Sequence, residues 1–112
     1  MHLEGIGASV GEHEGTVAVM YTAPSNGDKL PEKGFVLVAP MTTPDYVPAM
    51  REAGAIVTDQ GGITCHAAIV AREFGIPCVV AAHNATATLL TGQVVQVVVN
   101  RQTGEASVTL AT

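Results

Sequence analysis

Tryptophan is absent from the 112 residues, and aromatic residues make up only 4% of them. A core must therefore come from Val, Ile, Leu and Ala, for which a 47% hydrophobic content leaves ample material. Charged residues are scarce at 13%, too few for an intrinsically disordered chain. The five basic residues, Lys29, Lys33, Arg51, Arg72 and Arg101, are scattered among ten acidic ones, giving a net charge of −5. No basic run exists to track a phosphate backbone, so a nucleic-acid partner is not expected. Two cysteines, Cys65 and Cys78, are too few for a disulfide framework and point to a reduced, cytoplasmic protein. No apolar run is long enough to span a bilayer. The opening MHLEGIG has no basic stretch followed by an apolar one, so neither a signal peptide nor a membrane partner is expected.

The length fits one domain over residues 1–112 with a real core. Residues 1–15 carry Gly5, Gly7, Gly11 and Gly15, which suggest tight turns and close backbone contacts. GTVAVM (15–20) reads as a strand, and 23–34, with two prolines and an Asn-Gly pair, as a loop. FVLVAP (35–40) fits a buried strand stopped by proline. TTPDYVPAMREAG (42–54) predicts a helix with Thr43 as cap, Pro44 first and Gly54 as the stop. AIVTD (55–59) is a strand, and a helix follows from about Thr64 to Phe74, ended by Gly75 with Pro77 beyond. PCVVA (77–81) is a strand, and NATATLLTGQ (84–93) a short helix or turn. VVQVVVN (94–100) and EASVTL (105–110) form a closing hairpin around RQTG. The alternation predicts an α/β domain, without fixing the strand order.

GGITCHAAIVARE (61–73) carries the chemistry. Thr64 as N-cap places His66 at about the second helical position. The first N–H groups of a helix lack internal partners and, with the dipole, attract anions. Gly61 and Gly62 add bare amides beside them. A neutral imidazole at this point is a candidate nucleophile toward phosphorus, with the product's oxygens held by those amides. Other readings stand beside it. A histidine near a helix start can be a plain surface residue. Cys65, His66, Cys78 and His83 are possible zinc ligands, but the usual spacings are missing and adjacent helical residues diverge by about 100°, so no metal is expected. Cys65 could be a nucleophile, or a small buried hydrophobe like Cys78. Arg72 lies about 240° round the helix from His66. It could reach back toward the helix start or serve a structural salt bridge.

TDQGGITCHAAIVAREFGIPCVV (58–80) resembles the phosphohistidine signature of the PEP-utilising enzymes, with its Gly-Gly, Thr-x-His, Ala-Arg and Gly-x-Pro elements in register. GASVGEHEGTVAV (7–19), with Val10 where the family often has proline, and GFVLVAPMTTPDYVPAM (34–50) extend the likeness, as does TGQVVQVVVNRQTGEASV (91–108) without the aspartate common near its turn. The wording is most similar to the phosphoenolpyruvate synthase (pyruvate, water dikinase) branch, with pyruvate phosphate dikinase beside it. The resemblance implies a swivelling β/β/α phosphohistidine domain. His66 would accept a phosphoryl group, supported by Thr64, Gly61, Gly62 and Arg72. It would pass the group between a nucleotide-binding domain and a barrel domain that binds phosphoenolpyruvate or pyruvate. No cofactor is expected on this chain, and ATP and Mg are expected in the partner domains. The chain carries no GxxxxGK loop and no acidic cluster for Mg²⁺. It would therefore be incomplete as a catalyst alone, either part of a larger phosphotransferase or a subunit working with others. A different acceptor, such as rifampin or a phenol, and a non-catalytic interaction module are the alternatives.

Overall fold

The computed structural model describes residues 1–25 and 28–111, so the expected Asn26-Gly27 turn lies outside the described residues. The N-terminal glycines do not form a run of turns. They punctuate three strands, β1 (His2–Glu4), β2 (Ile6–Ser9) and β3 (Gly11–Val19). The close backbone contacts expected there are real and occur between strands. Next come β4 (Val36–Ala39), a 3-10 turn (Pro44–Tyr46), α1 (Val47–Glu52), β5 (Ala55–Thr58), α2 (His66–Phe74) and β6 (Cys78–Val80). The chain closes with α3 (Ala85–Thr88), β7 (Val94–Val99) and β8 (Ala106–Leu110).

The eight strands are ordered β1-β8-β7-β3-β4-β5-β6-β2. The long β3 explains how one sheet becomes two layers. Its first six residues, Gly11 to Thr16, pair antiparallel with β7, and Val17 to Val19 pair parallel with β4. One layer is the antiparallel β1-β8-β7-β3 set, and the other is parallel β3-β4-β5-β6 with β2 antiparallel at its edge. Valines from both layers meet between them, with Val36, Val38, Val57 and Val79 on one side and Val95, Val97 and Val108 on the other. Period-two alternation sends the next residues the opposite way. Leu37, Ile56, Cys78 and Val80 pack under α1 and α2, against Met50, Ala67, Ala68 and Ala71. The result is a β/β/α arrangement, mixed α/β as the alternating pattern implied. Buried on both faces, β4, β5 and β6 read as short continuous apolar runs.

The two larger helices depart from expectation at their ends. Thr43 does precede a proline-led turn, and Pro48 falls in the first turn of α1, where a missing N–H costs nothing. Yet the Thr43 hydroxyl makes no capping bond and donates instead to the Asp45 carboxylate. The stop of α1 is the extended Ala53. Gly54 is needed for space, because the imidazole of His13 occupies the place of its missing side chain. That ring also lies 2.6 Å, Nε2 to O, from the Gly34 carbonyl, which ties β3 to the approach to β4. Arg51 sits over the Phe74 ring at 6.0 Å and links α1 to α2.

Cys78 is fully buried, and burial, ahead of the influence of Cys65, pushes its thiol up from 9.0 to about 12. The unfolded chain therefore loses this proton at a lower pH than the folded one. Stability from this group is intact below about pH 9 and falls as pH rises toward 12, by up to roughly 1.4 kcal/mol per pH unit. Tyr46, also raised by burial, acts in the same direction above its ordinary 10.0. Urea midpoints from pH 8 to 11 should fall steeply for the wild type. In Cys78→Ala the start should be lower, but the decline shallower.

Candidate functional site

Parallel strands β3 to β6 all end on one side of the molecule, the side where α/β sheets present their ligand sites. His66 stands there, at the start of the helix that follows β5. The N-cap of α2 is Cys65 and not Thr64, so the histidine is the first helical residue. The chain turns one step later than expected because Cys65 N–H bonds the Gly62 carbonyl at 3.1 Å, forming a separate turn over 62–65. Thr64 is exposed outside the helix. The first bond into the helix runs from Ile69 N–H to Cys65 C=O, 3.1 Å. No side chain caps the amides of His66, Ala67 and Ala68 that precede it. At the far end Gly75 is left-handed, φ 69°, and Ile76 N–H reaches the Ala71 carbonyl, as the Gly-x-Pro signal implied.

The imidazole is half-buried, with Nδ1 2.8 Å from the hydroxyl of Thr42, a residue only 5% exposed. This bond fixes the ring and, among the described residues, leaves Nε2 as the nitrogen without a protein partner. A cavity of about 190 Å³ opens at the ring, lined by Met41, Thr42, Thr58, Gly61 and Cys65 among others. No Lys, Arg, Asp or Glu lines it. Thr58 is held by its own bond to the Gln60 carbonyl, 2.6 Å. Asp59, next to it, binds Thr86 through both carboxylate oxygens, to N at 3.0 Å and Oγ1 at 2.6 Å, and so fastens α3 to the loop.

The expected site residues are brought together unequally. Gly61 lines the cavity beside His66, whereas Gly62 and Thr64 lie along the loop outside it. Arg72 is not at the ring. Its guanidinium donates to the Ala8 carbonyl at 2.8 Å and to the Ile63 carbonyl at 2.7 Å, so it tethers the 61–65 loop to β2 and the helix. Of the two readings open for it, reaching back toward the helix start is the one observed, although its partners are backbone carbonyls. Thr42 is the contact to His66 that the pattern hid. Of the pair Thr42-Thr43, only the residue directly before the proline reads as a cap, and the spare threonine was the available signal. Among the described residues, no three potential metal ligands gather.

The two loop glycines differ in kind. Gly61 has φ +123°, and a Cβ there would stand 2.9 Å from the Cys65 sulfur. Gly62 has no left-handed φ and open space around it. Sequence alone gave both the same role. Gly61→Ala should cost about 1–3 kcal/mol through strain and displace the loop. Gly62→Ala should change stability by about 0.5 kcal/mol or less. Thermal unfolding of the two single variants decides between them.

Comparison with known proteins shows the family of the chain. The sequence pattern of the family described as PEP-utilising enzyme, mobile domain, matches residues 31–104. The phosphoenolpyruvate synthase of Pyrococcus furiosus is 57% identical over 95 residues, which cover 85% of this chain and 11% of that protein. A probable phosphoenolpyruvate synthase of Methanothermobacter thermautotrophicus is 52% identical over 99 residues, 88% of this chain and 14% of that protein. The chain thus spans only a small part of the relatives it matches. Among solved structures, an Enzyme I protein superposes with a TM-score of 0.59 at 34% identity, covering 72% of this chain and 32% of that one. Aconitase X of Thermococcus kodakaraensis, with a TM-score of 0.71 at 21% identity over the whole chain, shares the fold. No helix among the described residues is long and apolar enough to cross a membrane.

Proposed function

Given that the chain belongs to the mobile-domain family of the PEP-utilising enzymes, we propose that it is a phosphocarrier with His66 as the acceptor. It moves a phosphoryl group between a nucleotide-binding domain and a domain that binds phosphoenolpyruvate or pyruvate, as part of a phosphoenolpyruvate synthase-type phosphotransferase. The observation that carries this reading is the bond between Thr42 and Nδ1 of His66. This reading assigns the ring hydrogen to Nδ1, donated to Thr42, so that Nε2 keeps its lone pair at the free edge of the imidazole.

In the transfer, that lone pair attacks phosphorus, the N–P bond forms, and the donor's P–O bond breaks. The electron pair leaves with the donor oxygen. The imidazole becomes cationic, and the Nδ1–H bond to Thr42 strengthens as it does. The phosphoryl oxygens find the uncapped amides at the start of α2, where the helix dipole favours negative charge. Gly61, Gly62 and Thr64 offer the remaining loop donors, while Arg72 acts through its hold on Ile63. The cavity lining includes no carboxylate, so this chain does not fit a Mg²⁺ ion beside the ring. ATP and Mg²⁺ belong to the partner domains in this reading.

The test is label transfer from [³²P]phosphoenolpyruvate in the presence of partner domains from a phosphoenolpyruvate synthase. Label on this chain that is acid-labile and alkali-stable is expected. Absence of label, under conditions where the synthase's own mobile domain is labelled, overturns the assignment. Thr42→Val should keep the fold and slow transfer about tenfold. A hydrogen bond to a charged group such as the cationic ring is worth about 1.5 kcal/mol at the low end, and about 1.4 kcal/mol corresponds to tenfold in rate. Rapid-quench measurement of the transfer rate reads this directly.

A further inference from the structure

Backbone strain gathers on the reactive side of the fold. Among the described residues, three that are not glycine have left-handed backbone: Ala81 (φ 54°), His83 (φ 41°) and Asn84 (φ 57°). They fall within four positions between β6 and α3, at the carboxyl end of the parallel strands where His66 stands. Such conformations persist only where the surroundings hold them. Here the hold comes from the start of the loop between β5 and α2. Ala82 N–H donates to the Thr58 carbonyl at 3.0 Å, and His83 N–H to the Asp59 carbonyl at 3.3 Å. The Asp59 carboxylate accepts from the N–H and the hydroxyl of Thr86, while the Tyr21 hydroxyl donates to the Thr86 carbonyl at 3.1 Å. The residues on either side of Asp59 (Thr58 before it, Gln60 and Gly61 after it) line the cavity at His66, and Asp59 does not. Its carboxylate is engaged on α3, outside the cavity.

Resting on the phosphocarrier reading, we propose that Asp59 is a positioning residue for phosphoryl transfer at His66. Through Thr86 it clamps the strained 81–84 segment and the 58–61 cavity wall into one unit. On the β4 side that wall is tied by backbone alone, with Asp59 N–H on the Ala39 carbonyl at 3.1 Å and Gln60 N–H on the Pro40 carbonyl at 3.0 Å. The Asp59 side chain supplies the tie on the other side, toward α3. Both ties matter because Gly61 and Gly62, next in the chain, have no side chains to brace them. With the wall fixed from both sides, the backbone at Gly61 meets the incoming phosphoryl oxygens already in place. Donors placed in advance lower the barrier, because nothing has to be ordered during the reaction.

The test compares the whole chain with Asp59→Ala, Asp59→Asn, Thr86→Val and the double variant Asp59→Ala/Thr86→Val, at one temperature well below every thermal midpoint. Phosphoramidate is the donor, small enough to need no docking. The bond from Nε2 of His66 to phosphorus forms as the donor's P–N bond breaks and ammonia leaves. Rates across a range of phosphoramidate concentrations separate the limiting rate from the half-saturating concentration. Asp59→Ala is expected to lower the limiting rate about ten- to a hundredfold, with the half-saturating concentration within about twofold of wild type. Asp59→Asn, whose amide can accept from Thr86 N–H and donate to its hydroxyl, should stay within about threefold of wild type. Thr86→Val should slow the limiting rate about threefold or more. The double variant should be no slower than Asp59→Ala, since the two residues act through one contact. Where Asp59→Ala does not fold, the Thr86→Val rate decides alone. Limiting rates of Asp59→Ala and Thr86→Val within about twofold of wild type overturn the proposal and leave the phosphocarrier reading standing. A loss confined to the half-saturating concentration, or losses that add in the double variant, overturn it as well. A wild type that phosphoramidate does not label at His66 overturns the phosphocarrier reading and the proposal with it.

Discussion

His66→Ala is expected to lose phosphoryl acceptance entirely, with label at least a hundredfold below wild type, while remaining folded. Two of the three other imidazoles are engaged elsewhere, and the exposed His83, after β6, is controlled by His83→Ala. His13 is occupied with the Gly34 carbonyl, and His2 lies on the first strand between Thr109 and Glu4. The ring of His66 is not a free surface group, because its Nδ1 bonds the buried Thr42. Alanine therefore leaves that hydroxyl short of a partner, at a cost of about 1 kcal/mol. For a domain of this size the transition should drop by roughly 4–8 °C and stay cooperative. A collapse of the transition would make His66 a structural residue. Label that persists in the variant would place the acceptor elsewhere.

Gly5→Ala should be the most damaging of the small substitutions, though it lies far from the site in sequence. Gly5 joins β1, which pairs with β8 in the antiparallel layer, to β2, which pairs with β6 in the parallel one. Its N–H bonds the Ala106 carbonyl at 3.1 Å. A Cβ would stand 2.5 Å from the Val80 carbonyl oxygen and 2.8 Å from a Val79 methyl. The first obstacle is backbone in a paired strand, so no side-chain rotation relieves it. A loss of about 3 kcal/mol is expected, read as a fall in the urea midpoint with little change in slope. An unchanged midpoint would mean that the N-terminal segment does not bridge the two layers.

How much of this was legible in the sequence follows from the range of each signal. Helix α2 and strands β4, β5 and β6 were readable because their signals are local: apolar runs with proline and glycine punctuation. The closing hairpin was readable for the same reason, and Asn100 indeed organises its turn, accepting from Gln102 and Thr103 N–H. The strands β1 and β2 were not, since their glycines answer to Val80 and Val99 across the fold and not to a local turn. Gly54 misled in the same way, as its reason is the His13 ring from another strand. At the site, His66, the loop glycines and the arginine stand out in the motif. Thr42 is 24 residues away and becomes a partner only when β4 and β5 lie side by side. The reach of Arg72 to Ile63 and Ala8 likewise needs the assembled β2 edge.

The central claim is chemical and has a direct measurement. The chain is phosphorylated with ¹⁵N-labelled histidine in place, and the imidazole resonances are assigned by ¹H–¹⁵N spectroscopy with ³¹P coupling. The account expects phosphorus bonded to Nε2 of His66, with Nδ1 protonated and bonded to Thr42. Phosphorus on Nδ1, on another residue, or on no histidine at all would contradict it.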